Sequence, residues 1–120
     1  MHEDNEGRLD AAEQLAGHNP GSAAEAFSAL ACDQEAGDEV RLSAAEQLAT
    51  VAPQAAVTAL SAIARDGAVG DEVRLSAAEQ LAAVDPHAAA PACLAIARDE
   101  EVGDEVRLSA AQLAALDPSA

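Results

Sequence analysis

The stretch GDEVRLSAAEQLA fills residues 70–82, and the same thirteen residues stand at 37–49. A shortened copy, GDEVRLSAAQLA, runs over 103–114, and a divergent one, NEGRLDAAEQLA, over 5–16, so that Arg8, Arg41, Arg74 and Arg107 fall 33 residues apart. Residues 37–69 and 70–102 agree at 24 of 33 positions. A period of this length holding two apolar-periodic segments marks a helix pair that cannot bury its apolar face alone and stacks on its neighbours. The chain therefore reads as one all-α domain over residues 1–120, built as an α-solenoid of about three and a half units at 4–36, 37–69, 70–102 and 103–120.

Within a unit, the first helix, helix A, is read to start at Asp38, Asp71 and Asp104, with aspartate as N-cap and the glutamate after it favourable at the positive end of the dipole. The opening copy has Asn5 there. Along this helix Val73, Ala77, Leu81 and Val84 form one apolar face and Leu75, Ala78 and Ala82 a second, leaving Glu72, Ser76, Glu79 and Ala83 outward. Pro20, Pro53, Pro86 and Pro118 mark the turn to helix B, because proline suits the first helical position. Helix B is read to end near Cys32, Arg65 and Arg98, with a core stripe of Ala24, Phe27 and Leu30, then Val57, Leu60, Ile63 and Ala64, then Ala90, Cys93, Ile96 and Ala97. Pro91 either kinks the third helix B or starts it. Gly67 stands where a helix-ending residue is wanted. The last copy is a lone closing helix over 104–116 with Val106, Ala110, Leu113 and Leu116 on one face, and its uncovered side is where weak self-association would begin.

Composition narrows the function. Half of the residues are apolar, most of them alanine, and Phe27 is the only aromatic, so large pockets lack walls. Twenty-two acidic residues against six arginines, without lysine, give a net charge of −16. Such a field disfavours nucleic acid and anionic membrane surfaces, whose binding depends on basic residues. No run approaches the ~18 apolar residues of a membrane span, and the opening MHEDNEGRLD is polar and acidic where a signal peptide is basic and then apolar. Cys32 and Cys93 lie nearly two periods apart and read as reduced thiols of a cytoplasmic protein. Cys93 takes the core slot of Phe27 and Leu60, and His18 that of Val51 and Val84, which makes His18 a half-buried turn residue.

The run D-E-V-R-x-x-A-A-x-x-L, then D-P-x-A-A, a Leu/Ile-bearing helix, R-D and the next D-E-V-R resembles HEAT-like repeats, most of all the short bacterial type first noticed in phycobilin lyases. The resemblance spans essentially the whole chain and implies a right-handed α-solenoid of three helix pairs and a closing helix. It also implies a ladder between successive units formed by Asp38/Arg41, Asp71/Arg74 and Asp104/Arg107, with a weaker Asn5/Arg8 rung. Exposed rungs of this kind add about 0.5 kcal/mol or less each. Activities known on such scaffolds do not transfer residue by residue. The aromatic, basic cleft of alkylpurine glycosylases and the repeated His-Glu pairs of deoxyhypusine hydroxylases are missing, the only His-Glu being His2-Glu3. A chain this acidic and poor in aromatics offers little to a bilin propionate.

The outward stripe of helix B changes most between otherwise near-identical units: Glu25 and Ser28, then Gln54, Thr58, Ser61 and Arg65, then His87, Leu94 and Arg98. In HEAT-like arrays this side lines the concave surface. It is the expected partner-binding face, against drift on a solvated surface as the bland alternative. No serine has a histidine and acid as helpers, no Cys/His spacing suits zinc, and the acidic run around 99–105 lacks EF-hand spacing. The expectation is a non-catalytic protein-binding scaffold without metal or cofactor, its partner basic or mixed in charge. The alternatives are an acidic DNA mimic that inhibits a nucleic-acid-binding protein, or a self-assembling piece of a longer array.

Overall fold

A computed structural model of the chain describes residues 5–115. Seven helices follow one another among these residues, with no strand: α1 (Asn5–Ala16), α2 (Pro20–Ala31), α3 (Asp38–Val51), α4 (Pro53–Arg65), α5 (Asp71–Val84), α6 (Pro86–Ala97) and α7 (Asp104–Ala114). His2 and Glu3, the lone His-Glu pair, and Leu116 to Pro118 of the last copy lie outside the described residues. Each helix packs on the next, and the odd and even helices also touch in series, so α1, α3, α5 and α7 make one row and α2, α4 and α6 another. The result is a slab of 39 × 33 × 14 Å, two helices thick.

Local chemistry sets the helix starts, though not as read from the sequence. The N-caps of α3, α5 and α7 are Gly37, Gly70 and Gly103, in extended conformation and without a side-chain cap. Asp38, Asp71 and Asp104 are first-turn residues, and the carboxylates of Asp38 and Asp71 are spent elsewhere. At the second start the expectation holds: prolines occupy the first turns of α2, α4 and α6, and Asn19 and Asp85 accept from the N–H of Ser22 and Ala88 at 3.2 Å. Pro91 sits inside a continuous α6 and is exposed, so its missing N–H is tolerated on the solvent side. No glycine has positive φ among the described residues, so Gly67 is not a left-handed helix terminator.

The core lies between the two rows and is made mostly of alanine around Phe27, Leu30, Leu48, Leu60, Ile63, Leu81, Cys93 and Ile96, all fully buried. Helix B differs from its expected stripe in the first turns: Ala23 and Ala56 are buried, while Ala24 and Val57 are only half-buried. Helix A buries Ala77, Ala78 and Leu81 as its two-faced pattern requires, but Val84 at its end is 37 % exposed. His18, in the same slot two units earlier, is also exposed rather than half-buried, while Val51 between them is half-buried.

The closing helix shows the effect of its missing glutamate. One residue is about 100° of helix rotation, so Ala114 takes the core position of Leu48 and Leu81 while Leu113 takes that of Gln47 and Gln80. Ala110 and Ala114 are buried, and Val106 and Leu113, assigned to the buried face, are half-buried.

Candidate interaction surface

Four of the six arginines are built into the fold. Arg41 Nε donates to the carbonyl oxygen of Ala31, the last residue of α2, at 2.9 Å, and its Nη1 to Asp66 Oδ2 at 3.2 Å. Arg74 repeats both bonds with Ala64 and Asp99 at 2.9 Å each. These two side chains are buried, and each satisfies a carbonyl that its helix leaves unpaired at the C-terminus. Arg8 has the carboxylate, Asp33 at 2.8 Å, with no earlier helix among the described residues to cap, and Arg107 has the carbonyl of Ala97 at 2.9 Å. Of the expected rungs, Arg8 donates to Asn5 Oδ1 at 3.2 Å, but Asp38 and Arg41, like Asp71 and Arg74, do not meet each other; they link units separately, the aspartates to the next unit and the arginines to the preceding helix end, with the ion pairs made 25 residues on. The carbonyl at the end of the preceding helix draws the guanidinium of Arg41 and Arg74 away from the first-turn aspartate.

The aspartates that receive these arginines also organise the loops. Asp33, Asp66 and Asp99 each accept a backbone N–H two residues on, from Glu35, Ala68 and Glu101 at 2.9, 2.9 and 3.0 Å. The Arg8 hydrogen bond, followed by the Glu35 N–H, holds the Asp33 carboxyl below its ordinary range, and Arg74 followed by Glu101 does the same for Asp99. For Asp66 the Ala68 N–H is the leading cause and Arg41 adds to it against a partial burial. Each loop buries one apolar residue, Ala36, Val69 or Val102.

A second set of bonds joins unit to unit. Asp38 Oδ2 accepts the N–H of Gly70 at 2.9 Å and Asp71 Oδ2 that of Gly103 at 3.0 Å. Gln47 donates to Glu13, and Gln80 to Glu46, each across to the preceding unit. Asp104 has no such partner among the described residues. These bonds between non-adjacent positions were beyond sequence reasoning, although their spacing of 32 to 34 residues mirrors the repeat.

The expected partner-binding residues fall on the even helices. Glu25, Gln54, Thr58, Arg65, His87, Leu94 and Arg98 are exposed and Ser28 and Ser61 half-buried. They form a row over α2, α4 and α6, the series of helices that touch one another. Arg65 stands in the last turn of α4 and Arg98 caps α6 through its backbone N–H, and neither side chain forms an ion pair or hydrogen bond among the described residues. Arg107 also lacks a carboxylate among the described residues but holds the Ala97 carbonyl, so Arg65 and Arg98 are the arginines whose side chains the described fold leaves unused.

The opposite row carries grooves that the sequence did not announce. One of about 310 Å³ runs between α5 and α7, lined by Glu72, Leu75, Ser76, Glu105, Val106 and Ser109. Another of about 230 Å³ lies between α1 and α3 at the equivalent positions, from Glu6 to Ser43. Both have an apolar floor and carboxylates on their walls, which suits a basic group over an anion. Among the described residues no group of three or more His, Cys, Asp or Glu is placed to hold a metal ion, and no helix is long and apolar enough to cross a membrane. Cys32 is exposed and Cys93 buried, and burial pushes the Cys93 thiol up from its ordinary value. No family model, curated protein or solved structure matches the chain.

Proposed function

We propose that the chain is a right-handed α-solenoid of HEAT-like repeats, three helix pairs and a closing helix, acting in the cytoplasm as a non-catalytic protein-binding scaffold. The recognition surface is the outward row of α2, α4 and α6. One observation carries this: the row changes between units at Gln54/His87, Thr58/Pro91 and Ser61/Leu94, and beside these it holds two arginines, Arg65 and Arg98, whose side chains the fold does not use. Arg41 and Arg74 repeat together with the same two bonds each, whereas Arg65 and Arg98 repeat without a side-chain bond among the described residues. The arginines anchor acidic groups of the partner, while the surrounding carboxylates favour basic ones and make association sensitive to salt. Exposed Cys32 suits a reducing compartment.

The grooves favour a second reading. Glutamates repeated on the odd row, Glu6, Glu39, Glu72 and Glu105, present carboxylates to a basic protein in the manner of a DNA mimic. Affinity capture from the native host with two variants separates the readings. Arg65→Glu with Arg98→Glu should abolish capture of the partner, and Glu39→Gln with Glu72→Gln and Glu105→Gln should retain it. The reverse pattern sinks the scaffold reading in favour of mimicry.

A further inference from the structure

Charge is divided unevenly between the two rows. The four odd helices hold eleven acidic residues against four arginines, whereas α2 holds Glu25 alone, α4 Arg65 alone and α6 no charged side chain. The arginines of the odd row do little to offset its charge. Arg41 and Arg74 are buried and already spent on helix-end carbonyls and on Asp66 and Asp99. A slab two helices thick therefore carries like charge on one side and almost none on the other.

The repeat also brings those charges into line. Glu39, Glu72 and Glu105 occupy the same position of successive units, all three are exposed, and each stands one odd helix from the next. Packed helices lie about 8–10 Å apart, so neighbouring carboxylates of this line fall within about one screening length at 0.1 M salt. The grooves show what lies between them. Glu72 of α5 and Glu105 of α7 both line the groove of about 310 Å³ between these helices, and Glu39 of α3 lines the one of about 230 Å³ beside α1. Neither groove has an arginine in its lining. These are open volumes into which the odd helices can move, unlike the close-packed alanines between the rows.

We infer that this one-sided repulsion makes the curvature of the slab depend on ionic strength. Repulsion spreads the odd helices, while the even row has no charge to spread it and acts as the pivot, so the slab bends with α2, α4 and α6 on the inner side. Salt relaxes the bend. The screening length falls from about 30 Å at 0.01 M to about 3 Å at 1 M, which is shorter than the spacing of the odd helices, and the grooves then narrow. The arginine bonds, with their guanidinium ends buried, keep the units joined throughout. This property belongs to the fold and holds whatever the even row recognises, although it changes how that row is presented.

Distances between paired spin labels measure the bend directly. In a Cys32→Ser background, with Cys93 left buried, Ser43→Cys with Ser109→Cys labels α3 and α7, and Ser28→Cys with Leu94→Cys labels α2 and α6. Each pair spans two units at one position of the repeat. Between about 0.01 M and 1 M NaCl the odd-row distance should shorten by about 2 Å, the size of shift that packed helices make, while the even-row distance stays. Combined Glu39→Gln, Glu72→Gln and Glu105→Gln should give the short odd-row distance already at the lower salt. Four outcomes overturn the proposal: an odd-row distance that salt leaves unchanged, equal changes in both rows, a salt response that survives the glutamine substitutions, or loss of helix at low salt, which would mean that repulsion unfolds the units instead of bending the stack.

Discussion

Arg41 and Asp66 stand 25 residues apart and meet at 3.2 Å, with the guanidinium also closing the end of α2 through the carbonyl of Ala31. One side chain therefore fastens three elements: the helix before it, its own helix and the loop after the next. The side chain is almost wholly buried, so its bonds are shielded from water and salt.

Removing this arginine should be expensive. Arg41→Ala leaves a helix-end carbonyl and a carboxylate without their donor, and a loss of about 3 kcal/mol in urea unfolding is expected. Arg8→Ala, whose side chain is 33 % exposed and caps no preceding helix among the described residues, should lose clearly less. Equal losses would show that the buried rungs are not special.

The three loop aspartates give the acid limb of stability its position. Their folded carboxyls titrate below the unfolded value of 3.8, so the stability they contribute is present above that value and lost as pH falls through the folded ones. Combined Asp33→Asn, Asp66→Asn and Asp99→Asn should lower stability at pH 7 and flatten its pH dependence below about 4. An unchanged slope there would remove these residues from the account.

Thiol chemistry should divide the cysteines. Cys32 is exposed and Cys93 buried, with burial disfavouring its thiolate. A disulfide reagent should therefore modify one thiol per native chain quickly and the second only on unfolding. Rapid reaction of both would place Cys93 outside the core.

Restoring the lost glutamate should firm the closing helix. Insertion of Glu between Ala111 and Gln112 rebuilds AAEQLA and returns a leucine to the core slot now held by Ala114. A gain of about 1 kcal/mol is expected, less than the full transfer of a leucine because the site is near an end. A loss instead would mean that the surroundings have adjusted to alanine.

Much of this was legible because a repeat multiplies its own signal. The seven helices, the proline starts of α2, α4 and α6, and the burial of Phe27, Leu60 and Cys93 follow from periodicity alone. What stayed hidden depends on the third dimension. The resemblance put Arg41 on a ladder with Asp38, and only the end of α2 beside it makes its burial favourable. Asp38 looks like a cap, yet its carboxylate serves Gly70 in the next unit. Val57 and Ala56 are both apolar, and nothing in their order tells which one meets the opposite row. The outward stripe of helix B was legible as a difference between units, but that the Arg65 and Arg98 side chains meet no carboxylate among the described residues depends on where the loop aspartates lie in space.

The claim that the even row is the working surface can be tested by placing a photo-crosslinking residue at Thr58, at its centre, and at Ser76, in a groove of the odd row, and irradiating in native extract. The account predicts a discrete protein adduct from position 58 and none from 76. Adducts from 76 alone, or from neither position, would contradict it.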